Sequence, residues 1–290
     1  MWHTQTAVCT GRGHRLRQLP GQDRTAQYSE NGVTAIALAD GAGCASLSQF
    51  GANCAVQTVC QLLCREFDRL YASSSPQIFR REVIETVQQA IAQRAEQLGA
   101  MPADLACTLL AVAVKEDSYL LFHIGDGVIA YQKQGKLQIA SHPVNGEFSN
   151  TTTFVTSKQA LLNARVLRGT QPQLDGFILM SDGCEQTLYR KPTVKHIASV
   201  APVLELFFQR AELLQPQISE QMLQSVLEDQ IAQHTFDDCS LAILSRSGKH
   251  LRQWNHLQPQ QQALILNIAT QKRSRRRHKI HRLYQLWGKQ

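Results

Sequence analysis

An α+β layered sandwich, sheets covered by helices, is the fold class this sequence predicts. Two observations carry it: the centre of the chain is dense in short apolar strand patterns, and pairs of helical patterns interrupt it at two places. Taken in order, residues 4–10 alternate apolar and polar side chains, 11–23 read as loop, and Val33–Ala39 is a continuous apolar run that suits a buried strand. Over 46–71, Phe50, Cys54, Val56, Val59, Leu62, Leu63 and Phe67 recur at the three- and four-residue spacing of a helix face. Ser73, Ser75 and Pro76 break that pattern, and a second helix is expected over 77–98, ending at Gly99. Strands at 107–115 and 119–124 flank a hairpin turn at 116–118, and strands at 128–131 and 137–140 flank a second at 134–136. Residues 177–180 and 240–245 are the last two strands, with helical spacing between them at 203–213 and 219–233.

With 43% hydrophobic and 18% charged residues, the chain has enough apolar side chains for a packed core, which excludes wholesale disorder. No run approaches the roughly 18 apolar residues of a membrane-spanning helix, and the first dozen residues lack the apolar block of a secretory signal. A soluble cytoplasmic protein is expected. Eight of the 30 Lys and Arg residues lie within 271–290, which holds no acid; the remaining 22 face 23 acidic side chains. The charge divides the chain into a near-neutral domain over 1–248 and a basic tail over 249–290. In the tail, Ile280, Leu283, Tyr284 and Trp287 form an apolar stripe beside a cationic face. That suits a solvated helix, or docking to an acidic partner, a membrane surface or nucleic acid. The eight cysteines form no CxxC pair, which favours buried thiols over a zinc site or a disulfide framework.

Acidic residues recur at strand ends. The apolar run 35–39 closes in Asp40-Gly41, the run 120–124 in Gly125-Asp126-Gly127, and the run 177–180 in Ser181-Asp182-Gly183. Asp237-Asp238 instead precedes a strand. One Asp-Gly is more often a hairpin corner than a ligand, and Asp23 alone would be a loop residue. Four carboxylates gathered on one edge of an antiparallel sandwich would repel unless cations held them. Hard oxygen ligands beside glycine suit Mg²⁺ or Mn²⁺. His123, inside an apolar strand, reads as a hydrogen-bonded core residue, and Cys60 and Cys64 share an apolar helix face.

From about His3 to Arg246 the sequence resembles the metal-dependent serine/threonine protein phosphatases of type 2C, particularly the bacterial branch. The resemblance rests on motifs in order: Gly21-Gln22-Asp23, Asp40-Gly41-Ala42-Gly43, Ala106-Cys107-Thr108-Leu109, Gly125-Asp126-Gly127, Ser181-Asp182-Gly183 and Asp237-Asp238-Cys239-Ser240, with Asp238 where the family has Asn. The stretch from Gly146-Glu147-Phe148-Ser149-Asn150 to Thr156 adds to it. The resemblance implies a four-layer αββα sandwich, two antiparallel sheets flanked by helices. It implies two Mn²⁺ or Mg²⁺ ions, held by Asp40, the Gly41 carbonyl, Asp182 and Asp237. Asp23 would support a coordinated water, and Asp126 with Asp182 a third, weaker ion.

The reaction so implied is hydrolysis of phosphoserine or phosphothreonine in proteins by metal-bound hydroxide, opposing a Ser/Thr kinase. Catalytic weight would fall on Asp23, Asp40, Asp182 and Asp237. Two positions depart from the pattern. Ala42 stands where eukaryotic relatives carry the His thought to protonate the leaving alcohol, so the proton donor is unassigned. The phosphate-binding Arg, usually a few residues before the Gln-Asp motif, has no counterpart at that spacing; His14 or Arg17 would fill the role, or each is ordinary loop charge. Glu185 would help a third ion or cap a short helix. The alternatives are a catalytically silent relative serving as a binding module, and an adaptor acting through the basic tail.

Overall fold

In the computed structural model, residues 1–143, 152–191, 198–201, 204, 208 and 216–246 are described. The chain opens with β1 (Trp2–Cys9), a short α1 (Arg12–Leu16), β2 (Arg24–Glu30) and β3 (Val33–Ala39). Three helices follow, α2 (Ser48–Arg65), α3 (Phe67–Ala72) and α4 (Pro76–Gln97). Next come β4 (Leu109–Lys115), β5 (Ser118–Ile124), β6 (Val128–Lys133) and β7 (Lys136–Ser141). Then follow α5 (Ala160–Asn163), β8 (Arg165–Thr170), β9 (Leu174–Met180), α6 (Glu185–Leu188), β10 (Tyr189–Arg190) and β11 (Ser199–Val200). The described chain closes with α7 (Pro216–Val226), a π-helical turn Leu227–Ile231 and β12 (Cys239–Arg246).

Two five-stranded antiparallel sheets result, in the orders β1-β12-β9-β6-β7 and β2-β3-β4-β5-β8. Ile36, Leu38, Leu110, Val112 and Leu121 of one sheet meet Ile129, Phe177, Leu179, Ala242 and Leu244 of the other in a buried apolar inner layer. The outward side of β3 is Ala35, Ala37 and Ala39, so small that α2 packs closely with Ala52, Ala55, Val56 and Val59. Leu223 and Leu227 cover the outer face of the other sheet against Leu241 and Ile243. The layer order is α–β–β–α, as the sequence predicts.

Several boundaries differ from expectation. The single helix expected over 46–71 is split at Glu66, whose φ −107° and ψ 13° leave helical geometry and let Phe67 and Leu70 of α3 turn into the core. The loop expected over 11–23 contains α1. Strands β2 and β8 are the two edges of their sheet, half-exposed and polar, so they carry no apolar pattern to read. Both hairpins turn where expected, with Glu116 and Gln134 at positive φ. Gly99 ends α4 in the left-handed region, φ +64°. The 219–233 helical pattern falls on α7 and its π turn. Most of the helical pattern at 203–213, the segment 146–150 and the tail lie outside the described residues.

Candidate active site

Antiparallel pairing brings the chemistry to one edge. β3, β5 and β9 end there, in Asp40, Gly125-Asp126 and Ser181-Asp182, while β2 and β12 begin there, just after Asp23 and Asp237-Asp238. The loop after β3 is pinned to the next strand: Thr108 N donates to the Asp40 carbonyl at 2.8 Å, and Thr108 Oγ1 accepts from Asp40 N at 2.9 Å. Gly125 takes φ +115°, and a Cβ there would sit 2.5 Å from Thr108 Cγ2. The small-Thr motif and the Gly-Asp motif are thus two sides of one contact. Gly183 is equally confined, since its Cβ would meet the Asp238 carbonyl oxygen at 1.9 Å.

Carboxylate oxygens of Asp40, Asp126 and Asp182 lie within 4.8 Å of one another, each residue half-buried. Asp23 is fully buried behind them; its Oδ2 accepts from Ser240 Oγ at 2.7 Å. Asp126 Oδ2 accepts from Thr152 Oγ1 at 2.5 Å. Asp237 is exposed and lies outside the tight trio, yet its charge acts on both Asp40 and Asp182. Burial, then the charges of Asp126, Asp237 and Asp23, push the Asp182 carboxyl up to about 7. Burial, then Asp23 and Asp182, hold Asp40 well above the usual carboxylate range. Burial raises Asp23 to about 6, against the lowering effect of its hydrogen bonds to Asp40 and Ser240.

The residues present fit divalent cations. Asp23 Oδ1 and Asp182 Oδ1 are buried without a hydrogen-bond partner, and like charges converge with no Lys or Arg interposed among the causes of their shifts. All of these donors are hard oxygens.

The other candidates fall into place around this rim. His14 Nδ1 lies 3.0 Å from Asp238 Oδ1, whereas Arg17 is exposed just beyond α1. Sequence reasoning missed Arg12, whose guanidinium stacks 4.4 Å over the Phe236 ring and whose buried Nε has no partner. Its nearness to the Gln-Asp motif was the available signal. Glu185 opens α6 and pairs with Lys191 at 3.0 Å. His123 is a core residue, its Nδ1 2.8 Å from Ser141 Oγ and 2.9 Å from Arg165 Nη2. All eight cysteines are unpaired.

Fold and rim define the class: a four-layer sandwich enzyme built around an acidic centre, the protein phosphatase class to which the motifs point. The protein phosphatase 2C family model matches residues 10–228, so the chain belongs to that family of metal-dependent serine/threonine phosphatases. Serine/threonine-protein phosphatase 3 of Escherichia coli (strain K12) is 24% identical over 251 residues, spanning 83% of this chain and 97% of that protein. Among solved structures, the serine/threonine phosphatase of Staphylococcus aureus superposes with TM-score 0.56 at 14% identity, covering 86% of this chain and 96% of that one. That of S. agalactiae gives 0.57 at 15%, covering 84% and 99%. At those identities the structures speak for the fold.

Proposed function

We propose that this protein hydrolyses phosphoserine and phosphothreonine esters in proteins at a divalent-cation centre on the acidic rim. The observation that carries the reading is the convergence of Asp40, Asp126 and Asp182 within 4.8 Å, backed by buried carboxylate oxygens without partners. Asp40, the Gly41 carbonyl, Asp182 and Asp237 would hold two Mn²⁺ or Mg²⁺ ions, and Asp126 with Asp182 a third. Bound there, such ions supply an activated water and draw charge from the phosphate oxygens. Asp23, locked by Ser240, would accept a hydrogen bond from such a water at its unpartnered Oδ1. Arg12 and Arg17 supply cationic groups at the α1 border of the rim for the phosphoryl oxygens.

The partners we assign are phosphorylated proteins, with a Ser/Thr kinase making the esters that this enzyme removes. Residues 1–248 form the catalytic domain in this reading, and 249–290 a tail that contacts an acidic surface. Unpaired cysteines support a cytoplasmic setting; no helix among the described residues is long and apolar enough to cross a membrane. The deciding experiment measures phosphate release from a phosphothreonine peptide. Release that depends on added Mn²⁺ or Mg²⁺ and stops on chelation is expected; cation-independent release would overturn the reading.

A further inference from the structure

Serine and threonine alkoxides leave poorly, and a proton delivered to the ester oxygen lowers that barrier. The loop after Asp40 brings Ala42, Gly43 and Cys44, with no imidazole or carboxyl among them. His123 is fully buried and committed to Ser141 and Arg165. His14 is differently placed. Asp238, 1% exposed at its side chain, takes Gly11 N at 2.6 Å and His14 Nδ1 at 3.0 Å on Oδ1, and Gln22 N at 2.5 Å on Oδ2. Both oxygens of Asp238 already accept from backbone N–H groups, so Nδ1 is the donor in its contact with Oδ1 and Nε2 is left for other work. Nε2 has no partner among the described residues, and the side chain is 16% exposed.

The backbone bearing this imidazole rests on the backbone bearing Asp237. Gly13 N donates to the Phe236 carbonyl at 2.8 Å, and a Cβ on Gly11 would lie 2.3 Å from the Asp237 carbonyl carbon. Gln22, the third donor on Asp238, directly precedes Asp23. One buried carboxylate therefore ties α1, the Asp23 turn and the Asp237 turn together, with an imidazole held by its Nδ1 at their junction. A neutral Asn at 238 would offer a single acceptor oxygen in place of two and no charge opposite the ring.

We propose that His14, oriented by Asp238, is the proton donor to the departing serine or threonine oxygen; the assignment rests on the phosphatase reading above. In the step, water oxygen forms a bond to phosphorus while the phosphorus–ester oxygen bond breaks, the ester oxygen keeping the electron pair. That oxygen takes the Nε2 proton of the His14 imidazolium, whose Nδ1–H stays on Asp238, and leaves as the alcohol. The attacking water gives up one proton to solvent, the neutral imidazole regains one from solvent, and the products are alcohol and inorganic phosphate. His14 is the catalytic group, and Asp238 a positioning residue.

The test compares two leaving groups, with Mn²⁺ present throughout. A phosphothreonine peptide needs the proton, whereas 4-nitrophenyl phosphate releases a phenolate that is stable without it. His14→Gln should lower kcat/KM on the peptide by at least about a hundredfold and on the aryl ester by no more than about threefold. Asp238→Asn should show the same split, smaller in size, in a protein that is still folded by circular dichroism but melts a few degrees lower for the lost acceptor. Equal losses on both substrates would overturn the assignment in favour of a structural clamp or a phosphate ligand, as would an unaffected peptide rate. A wild type inert toward both substrates would instead bring down the phosphatase reading itself, and this assignment with it.

Discussion

Two clusters of ionisable groups lie three residues apart along one strand end, and the molecule treats them in opposite ways. At His123 the chain resolves the problem internally. Arg165 can only donate, so the ring is neutral with Nδ1 as acceptor, and burial followed by the Arg165 charge holds its pKa well below the ordinary value. Arg165 also donates to the His142 carbonyl, and burial lowers its own pKa to about 10. At Asp126 and its neighbours, no Lys or Arg among the described residues answers the acids; burial and mutual repulsion raise Asp40 and Asp182, and oxygens go unpartnered. The structural cluster meets the imidazole's needs with its own groups, although Arg165 Nε goes unpartnered, while the functional one leaves carboxylate oxygens open to something from outside.

The largest effect should come from removing charge at the rim. Asp40→Asn and Asp182→Asn should each lower turnover of a phosphothreonine peptide by at least about a hundredfold, since several kcal/mol of charge stabilisation passes through these positions. Mn²⁺ should raise the melting temperature of the wild type, because a ligand that binds only the folded state stabilises it. Neither variant should show that rise in full, and without cations both should be at least as stable as the wild type. If the asparagine variants are instead less stable without cations, the rim carboxylates are serving as structure, and the contrast with His123 fails.

A smaller effect is expected at His123, through pH. Its folded pKa is depressed, so the fold refuses a proton that the unfolded chain accepts near pH 6.5. The contribution is therefore intact above that value and is lost as pH falls through it. Between pH 7.5 and 5.5 the wild type should lose about 1 kcal/mol of unfolding free energy from this residue. Denaturant unfolding of His123→Gln should show a shallower acid slope over the same interval. An identical slope in the two proteins would mean that the imidazole is not held neutral.

The sequence carried one side of this contrast far better than the other. Asp40, Asp126 and Asp182 stand in short motifs at the ends of apolar runs and Asp237 just before one, so an apolar run that stops in Asp-Gly marks both the strand and its rim residue. The His123 cluster has no such mark, because Ser141 and Arg165 lie on strands of different sheets and only the stacking of those sheets joins them. Edge position hides β2 and β8 for a related reason: their side chains are mostly polar and partly exposed, so no apolar alternation shows. Arg12 escaped because its significance is a missing partner, and a missing partner is a property of three-dimensional surroundings. Asp238 was legible only as a departure from Asn; its grip on Gly11, His14 and Gln22 spans more than two hundred residues of chain.

The smallest effect belongs to charge left in water, which completes the comparison. Arg69 on α3 donates to Glu66 at 2.7 Å and also reaches Glu82 on α4, with about half of its side chain exposed. Solvent already satisfies such groups, and holding two long side chains in one geometry costs entropy, so an exposed pair contributes roughly 0–1 kcal/mol. Arg69→Ala should shift the melting temperature by only a few degrees. The shift should shrink further in 1 M salt, where the screening length falls to about 3 Å. A larger, salt-insensitive loss would show that Arg69 clamps α3 onto α4, because screening weakens charge attraction but leaves packing untouched. That outcome would move the pair from solvated charge to the internally resolved kind seen at His123.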